Sequence, residues 1–198
     1  PNLIGIERLK DEKSLGVASA PMLNHQQVGF NNVVVDSDGK VRRSLLYWHV
    51  DGKPHKSFAL QMALMYLKAQ SITPQPAKVN PQYLQLGQAV FRPFGANDGA
   101  YVNADNGGYQ ILANFRQSPS FRTISIADVL ADRVKPDLMR DRLVLIGQTT
   151  SSLNDFFYTP EQEVPAVQLY ADFVSQILSA AINQRPLIRV WPQLLEVL

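Results

Sequence analysis

The chain has 198 residues, 45% hydrophobic and 18% charged, which is long enough to bury a core without staples and too apolar for disorder. Its net charge of +2 comes from Lys and Arg scattered singly apart from Arg42-Arg43, with no basic run carrying aromatics, so nucleic acid is not an expected partner. With no cysteine there is no disulfide, thiolate metal site or Cys nucleophile.

The opening NLIGIERL reads as a strand already under way. Residues 30–36 and 41–50, rich in Val, Leu, Tyr and Trp, read as a hairpin joined at Asp36-Ser37-Asp38-Gly39, with Gly39 where the turn needs positive φ. A second turn follows at Asp51-Gly52-Lys53-Pro54. Ser57 can cap a helix that is apolar almost all round and should therefore be buried. Residues 71–81 hold too much proline for a helix and form an internal connector, because the flanking segments are too short for separate cores. Short strands are expected at 83–86, 89–94 and 109–115, with a polar Gly/Asn/Asp loop between the last two.

Ser125 and Asp128 have capping-box spacing at the head of a short helix. Arg142-Leu-Val-Leu-Ile-Gly147 reads as a strand buried on both faces. After a polar loop, a last helix starts near Pro165. Its apolar stripe is Tyr170, Phe173, Val174, Ile177, Leu178 and Ala181; Gln168, Asp172, Ser175, Gln176 and Ser179 make the other face. No apolar run reaches the roughly 18 residues of a membrane span, and there is no signal peptide. The closing VWPQLLEVL reads as an apolar segment cut short. The expected fold class is α/β (α+β): a single domain over residues 1–198, a mixed β-sheet with a hairpin, covered by helices.

A calcium loop at Asp36-Ser-Asp-Gly would need further oxygen ligands, but Lys40 follows the glycine and Leu45 stands where an acid is wanted. Asp36, Asp38 and Gly39 therefore read as a structural turn, and no metal is expected. On a regular strand Arg42 and Arg43 point to opposite faces, so one faces the covered side and needs a carboxylate or a bound anion. Asp155 or another loop acid is the expected partner. Ligands of open α/β sheets favour loops after buried strands, which brings in Gln148, Thr149, Thr150, Asp155 and Thr159. With Arg42 and Arg43 these are the ligand-binding candidates, beside the alternatives of a structural ion pair and a hydrogen-bonded closing loop. The loop is neither a P-loop nor a nucleophile elbow. His25, His49 and His55 lack the spacing of a metal or catalytic pair. Trp48 and Trp191 read as packing residues, and Trp191-Pro192 also fits a membrane-interface anchor. No catalytic residue and no cofactor is expected.

Several segments together resemble one family. GFNNVVVDSDGKVRR is similar to its Gly-x-x-Asn…Asp-x-Asp-Gly-x-x-Arg segment, RTISIADVL to its SxxDVL segment, and RLVLIGQTTSSLNDFFYTP to its VxIG…D…TP signature. VPAVQLYADFVSQILSA resembles its last helix, with Ala166 for the usual Gly and Tyr170 for the usual His. The family is the second type of cyclases/histidine-kinases-associated sensory extracellular domain, and the likeness runs from about Val28 to the end. The resemblance implies an extracytoplasmic (periplasmic) bacterial sensor module in which an early strand and helix precede this sequence. It implies that residues 185–198 lead into a transmembrane helix, and that a cytoplasmic cyclase, kinase or diguanylate cyclase follows. The implied partners are an unknown small molecule or ion and the protein's own spans and output domain; the apolar last helix and the closing apolar segment add a second copy, in a homodimer, as a further partner. A ligand-independent interaction module and, less favoured, a hydrolytic enzyme are the alternatives.

Overall fold

The computed structural model describes residues 2–11, 14–117 and 121–191. The first strand, β1 (Gly5–Glu7), pairs in parallel with β2 (Val28–Phe30). The longest strand, β3 (Arg43–Val50), turns at Asp51 and Gly52 into β4 (Lys53–Lys56) and takes β8 (Tyr109–Leu112) on its other edge, both antiparallel. A third sheet, β5 (Gln75–Pro76), β6 (Leu84–Leu86) and β7 (Ala89–Phe91), is antiparallel throughout. The last hairpin is β9 (Phe156–Tyr158) with β10 (Glu163–Pro165). The α+β content is thus divided among four small sheets rather than gathered into one.

Ser57 accepts from the Leu60 N–H at 3.2 Å and starts α1 (Phe58–Ala69), which is buried as its all-round apolar character requires. The short α2 (Ile126–Leu130) buries no residue, and α3 (Ala166–Asn183) begins directly after Pro165. The main core lies where α1 and α3 pack together over the sheets, with Leu46, Leu60, Leu67, Leu86, Phe91, Leu169 and Ile177 sealed from solvent. Each such side chain stabilises the fold by about 1.5–3 kcal/mol before conformational entropy is counted.

Three expectations need correction. Residues 31–35 do not pair with β3, because β4 and β8 already occupy both of its edges. They run beside residues 7–9 instead, where Asn32 accepts from the Leu9 N–H at 2.8 Å and donates to the Leu9 carbonyl at 3.0 Å. Residues 142–147 form no ladder, and only alternate side chains are covered: Leu143 and Leu145 lie against the core, whereas Val144 is 47% and Ile146 86% exposed. The polar face assigned to α3 is also partly interior, since Asp172, Gln176 and Ser179 are buried. At α2 the capping box is half made. Ser125 accepts from the Ala127 N–H, while the Asp128 carboxylate holds Arg133 instead of reaching back.

Candidate functional site

The Asp36–Gly39 turn is closed by two backbone bonds of 2.9 Å, Gly39 N–H to the Asp36 carbonyl and Asp36 N–H to the Lys40 carbonyl, with Gly39 at φ +82°. The turn brings both acids back over the two arginines. Arg42 donates to Asp38 from Nη1 and Nη2 at 2.9 and 2.6 Å and to Asp36 Oδ2 at 2.8 Å. Arg43 is the inward one, 4% exposed. Its Nε and Nη2 donate to Asp36 Oδ1 at 3.1 and 2.5 Å, and its Nη1 donates to the Asp105 carbonyl and the Gln110 side chain at 2.5 and 2.8 Å. The Phe94 and Tyr101 rings lie 4.9 and 5.1 Å from the guanidinium carbon.

Burial alone would raise the Asp36 carboxyl pKa, but hydrogen bonds from Arg42, Tyr101 and Arg43 outweigh it and leave the group below its ordinary range. The partner of the inward arginine is therefore the acid of its own turn, not Asp155. No hydrogen bond or ion pair among the described residues joins Arg42 or Arg43 to the 148–159 loop. With its donors directed at Asp36, Asp105 and Gln110, Arg43 is a structural bolt between the turn and the 95–108 loop. The sequence offered one hint of this, Tyr101 within an otherwise small and polar loop. Its hydroxyl donates to Asp36 at 2.7 Å.

The remaining sequence candidates are spread along the loop between residue 147 and β9. Gln148 is half-buried, and Thr149 and Thr150 are exposed. Thr159 is buried, and its hydroxyl closes a tight turn by donating to the Gln162 carbonyl at 2.8 Å and accepting from the Gln162 N–H at 3.1 Å. Asp155 accepts from the Ala166 N–H through its backbone carbonyl. Its carboxylate lies near Tyr170, whose buried hydroxyl donates to the Asn31 carbonyl at 2.5 Å. Burial first, and the Asp155 charge second, push the Tyr170 hydroxyl far above its usual pKa, so it acts only as a neutral donor. The loop meets the end of the turn through a backbone bond, Val41 N–H to the Tyr158 carbonyl at 2.7 Å.

A cleft lies elsewhere, between β7, the start of the 95–98 loop, the end of β8 and the tail 184–191, with a volume of about 1050 Å³. Phe91, Ile111 and Ala180 are buried at its floor. Leu187, Arg189 and Trp191 belong to its tail wall, and Trp191 is 71% exposed rather than packed. Arg92 contributes a charge already spent on Asp98, two bonds of 2.8 and 2.9 Å. The tail is tied down by Arg185, whose Nη2 donates to Asn114 Oδ1 at 2.9 Å and to the Phe115 carbonyl at 3.0 Å. Sequence reasoning missed this cleft because its walls come from three distant segments, none carrying a motif.

Residues 112–116, which follow β8, are secured by the buried polar face of α3. Gln176 donates to the Leu112 carbonyl at 2.8 Å and accepts from the Asn114 N–H at 3.1 Å, and Asp172 accepts from the Arg116 N–H at 3.1 Å. Four helical residues advance about 6 Å and two extended residues about 6.6 Å, so side chains one turn apart can serve alternate backbone groups. The helix stands in for a missing strand on that edge.

Small sheets packed on two long helices, an arginine bolt and an open cleft against the C-terminal tail make an α+β domain, and no nucleophile–base hydrogen bond joins the sequence candidates among the described residues. The sequence model of the CHASE2 domain, the cyclases/histidine-kinases-associated sensory extracellular domain of type 2, matches residues 2–198, and the chain belongs to that family. The match begins well ahead of Val28, where the recognisable motifs start. The family is an extracellular sensory one rather than a catalytic one. No curated protein and no solved structure matches the chain. No helix among the described residues is long and apolar enough to cross a membrane.

Proposed function

We propose that this domain is the extracytoplasmic input of a membrane-anchored signalling protein, and that the tail after α3 is the element through which it speaks to the spans and cytoplasmic output. The observation that carries this is the Arg185 latch. The tail leaves α3 at Gln184, is pinned to residues 114–115 by Arg185, and walls the cleft against β7 and β8. Occupancy of the cleft and position of the tail are then physically linked, as a sensor needs, because a ligand shifts an equilibrium only by its differential affinity for two states. The test is Arg185→Gln in the full-length protein in membranes. The substitution releases the latch, and basal output should change while the domain stays folded. Output indistinguishable from the parent would overturn the reading.

A second reading, self-association, is favoured by the apolar segment 142–147, which belongs to no sheet and leaves Val144 and Ile146 exposed. Sedimentation should show a dimer that Ile146→Lys dissolves; a monomer at high concentration would remove it.

A further inference from the structure

A single peptide unit joins a buried acid to the tail. The N–H of the Phe115–Arg116 peptide donates to the Asp172 carboxylate at 3.1 Å, and its carbonyl accepts from Arg185 Nη2 at 3.0 Å. Asp172, on α3, is buried, and Arg185 opens the tail. Carboxylate and guanidinium therefore polarise the same amide from opposite ends, so each bond strengthens the other. Neighbouring side chains complete the joint. Arg116 donates from Nε to Ser175 Oγ at 2.5 Å. Asn114 holds the tail twice, its Oδ1 accepting from Arg185 Nη2 and its Nδ2 donating to the Pro186 carbonyl, both at 2.9 Å.

The charged groups acting on Asp172 are Arg116 and Arg185, which favour its ionised form, and Glu161 in the β9–β10 turn, which opposes it. Burial outweighs the arginines and pushes the carboxyl up to about 6, within reach of mild acid. Since the Arg185 charge favours ionisation, linkage requires the ionised carboxylate to hold Arg185 more tightly than the neutral acid does. Burying the charge costs the fold as a whole, but within the folded domain it secures the tail. A tail that leaves while Asp172 stays buried takes a positive charge away from it. Release therefore goes with proton uptake and is favoured as pH falls through about 6.

We propose that this joint is a pH-operated latch: ionised Asp172 holds the tail against residues 114–116, protonated Asp172 loosens it, and the domain answers to acidity on the extracytoplasmic side. This rests on the reading of the tail given above and names protons as a stimulus acting on it.

The test follows two signals of the 198-residue chain by NMR across about pH 4 to 8. The Arg116 amide reports the Asp172 proton, and the Trp191 indole N–H, in the tail wall of the cleft, reports the tail. Trp191→Phe distinguishes that indole from the one of Trp48. Both signals should move in one step with a shared midpoint near 6. In Asp172→Asn both should stay flat, with the Trp191 signal at its acid position. In Arg185→Gln the Arg116 amide should still titrate, with its midpoint raised because a charge favouring ionisation is gone, while Trp191 again stays flat at its acid position. An Arg116 amide that does not titrate, one that titrates without Trp191, a Trp191 step that survives in Asp172→Asn, or a tail released as pH rises would each overturn the proposal. These signals read the tail in the isolated chain, whereas the Arg185→Gln experiment in membranes reads output, so either result can fail alone.

Discussion

Arg43 donates to a single oxygen of Asp36 from both Nε and Nη2, at 3.1 and 2.5 Å, in a setting where both side chains are less than one-tenth exposed. The same carboxylate accepts from Arg42 and Tyr101, so one acid holds two arginines and a tyrosine from a loop more than sixty residues away in the chain. Replacing Asp36 with Asn leaves a buried guanidinium without its counter-charge. The expected loss is about 3–5 kcal/mol of stability, or a fall in thermal midpoint of roughly 6–20 °C for a domain of this size. Asp38→Asn removes an acid that binds the part-exposed Arg42 and the Lys40 N–H at the turn surface and should cost far less. Urea unfolding of the two variants side by side checks the order; equal losses would show that the bolt is not centred on Asp36. Because the Asp36 carboxyl is lowered when folded, its contribution is complete above the unfolded value of 3.8 and fades as pH falls below it, and Asp36→Asn should flatten that acid limb.

Asp172 behaves in the opposite sense. Burial pushes its carboxyl up to about 6, against hydrogen bonding from the Arg116 N–H and the charges of Arg116 and Arg185. The folded state therefore binds this proton more tightly than the unfolded chain. The Asp172 contribution is therefore most favourable below about pH 4, declines as pH rises toward about 6, and stays at the lower value above it. Asp172→Asn keeps an oxygen for the Arg116 N–H without the buried charge. It should gain on the order of 1–2 kcal/mol at pH 8 and almost nothing at pH 4. Denaturant midpoints at the two pH values measure this. A variant weaker than the parent at pH 8 would mean that the ionised carboxylate is needed by its neighbouring arginines.

Two glycines with positive φ separate backbone strain from close packing. Gly39, at φ +82°, has nothing within 4 Å of where a Cβ would sit, so Gly39→Ala bears only the left-handed penalty of about 1 kcal/mol. Gly87, at φ +55°, lies against α3, and a Cβ there would stand 2.5 Å from the Ala181 carbonyl oxygen. Gly87→Ala must push the β6–β7 turn off the helix and should cost at least twice as much, read as a larger drop in urea midpoint. Similar losses in both variants would show that α3 yields at its C-terminal end.

Local chemistry carried most of the elements. The serine caps of α1 and α2, the apolar character of α1, the start of α3 after Pro165, the Gly39 turn and the short strands near 84–86, 89–91 and 109–112 rest on contacts within a few residues, and these are legible in order along the chain. The identity of residues in spaced motifs also pointed to the sensory family. Pairing partners were beyond reach, because an edge is claimed by whichever strand arrives with the better register. β8 and β4 took both edges of β3 and displaced residues 31–35, and nothing in RLVLIG says whether a neighbour will cover it.

The sequence by itself determined that one arginine of the Arg42-Arg43 pair must be buried and in need of a counter-charge, since adjacent strand residues face opposite ways. Only the tertiary structure decided that the inward one is Arg43, that Asp36 answers it, and that Asp172 and Gln176 turn inward to secure residues 112–116. It alone also closed a cleft from β7, β8 and the tail. The physical reason is the same in each case. A side chain's direction follows from its own backbone, but its partner is fixed by which distant segment packs opposite, and that is settled by the whole core at once.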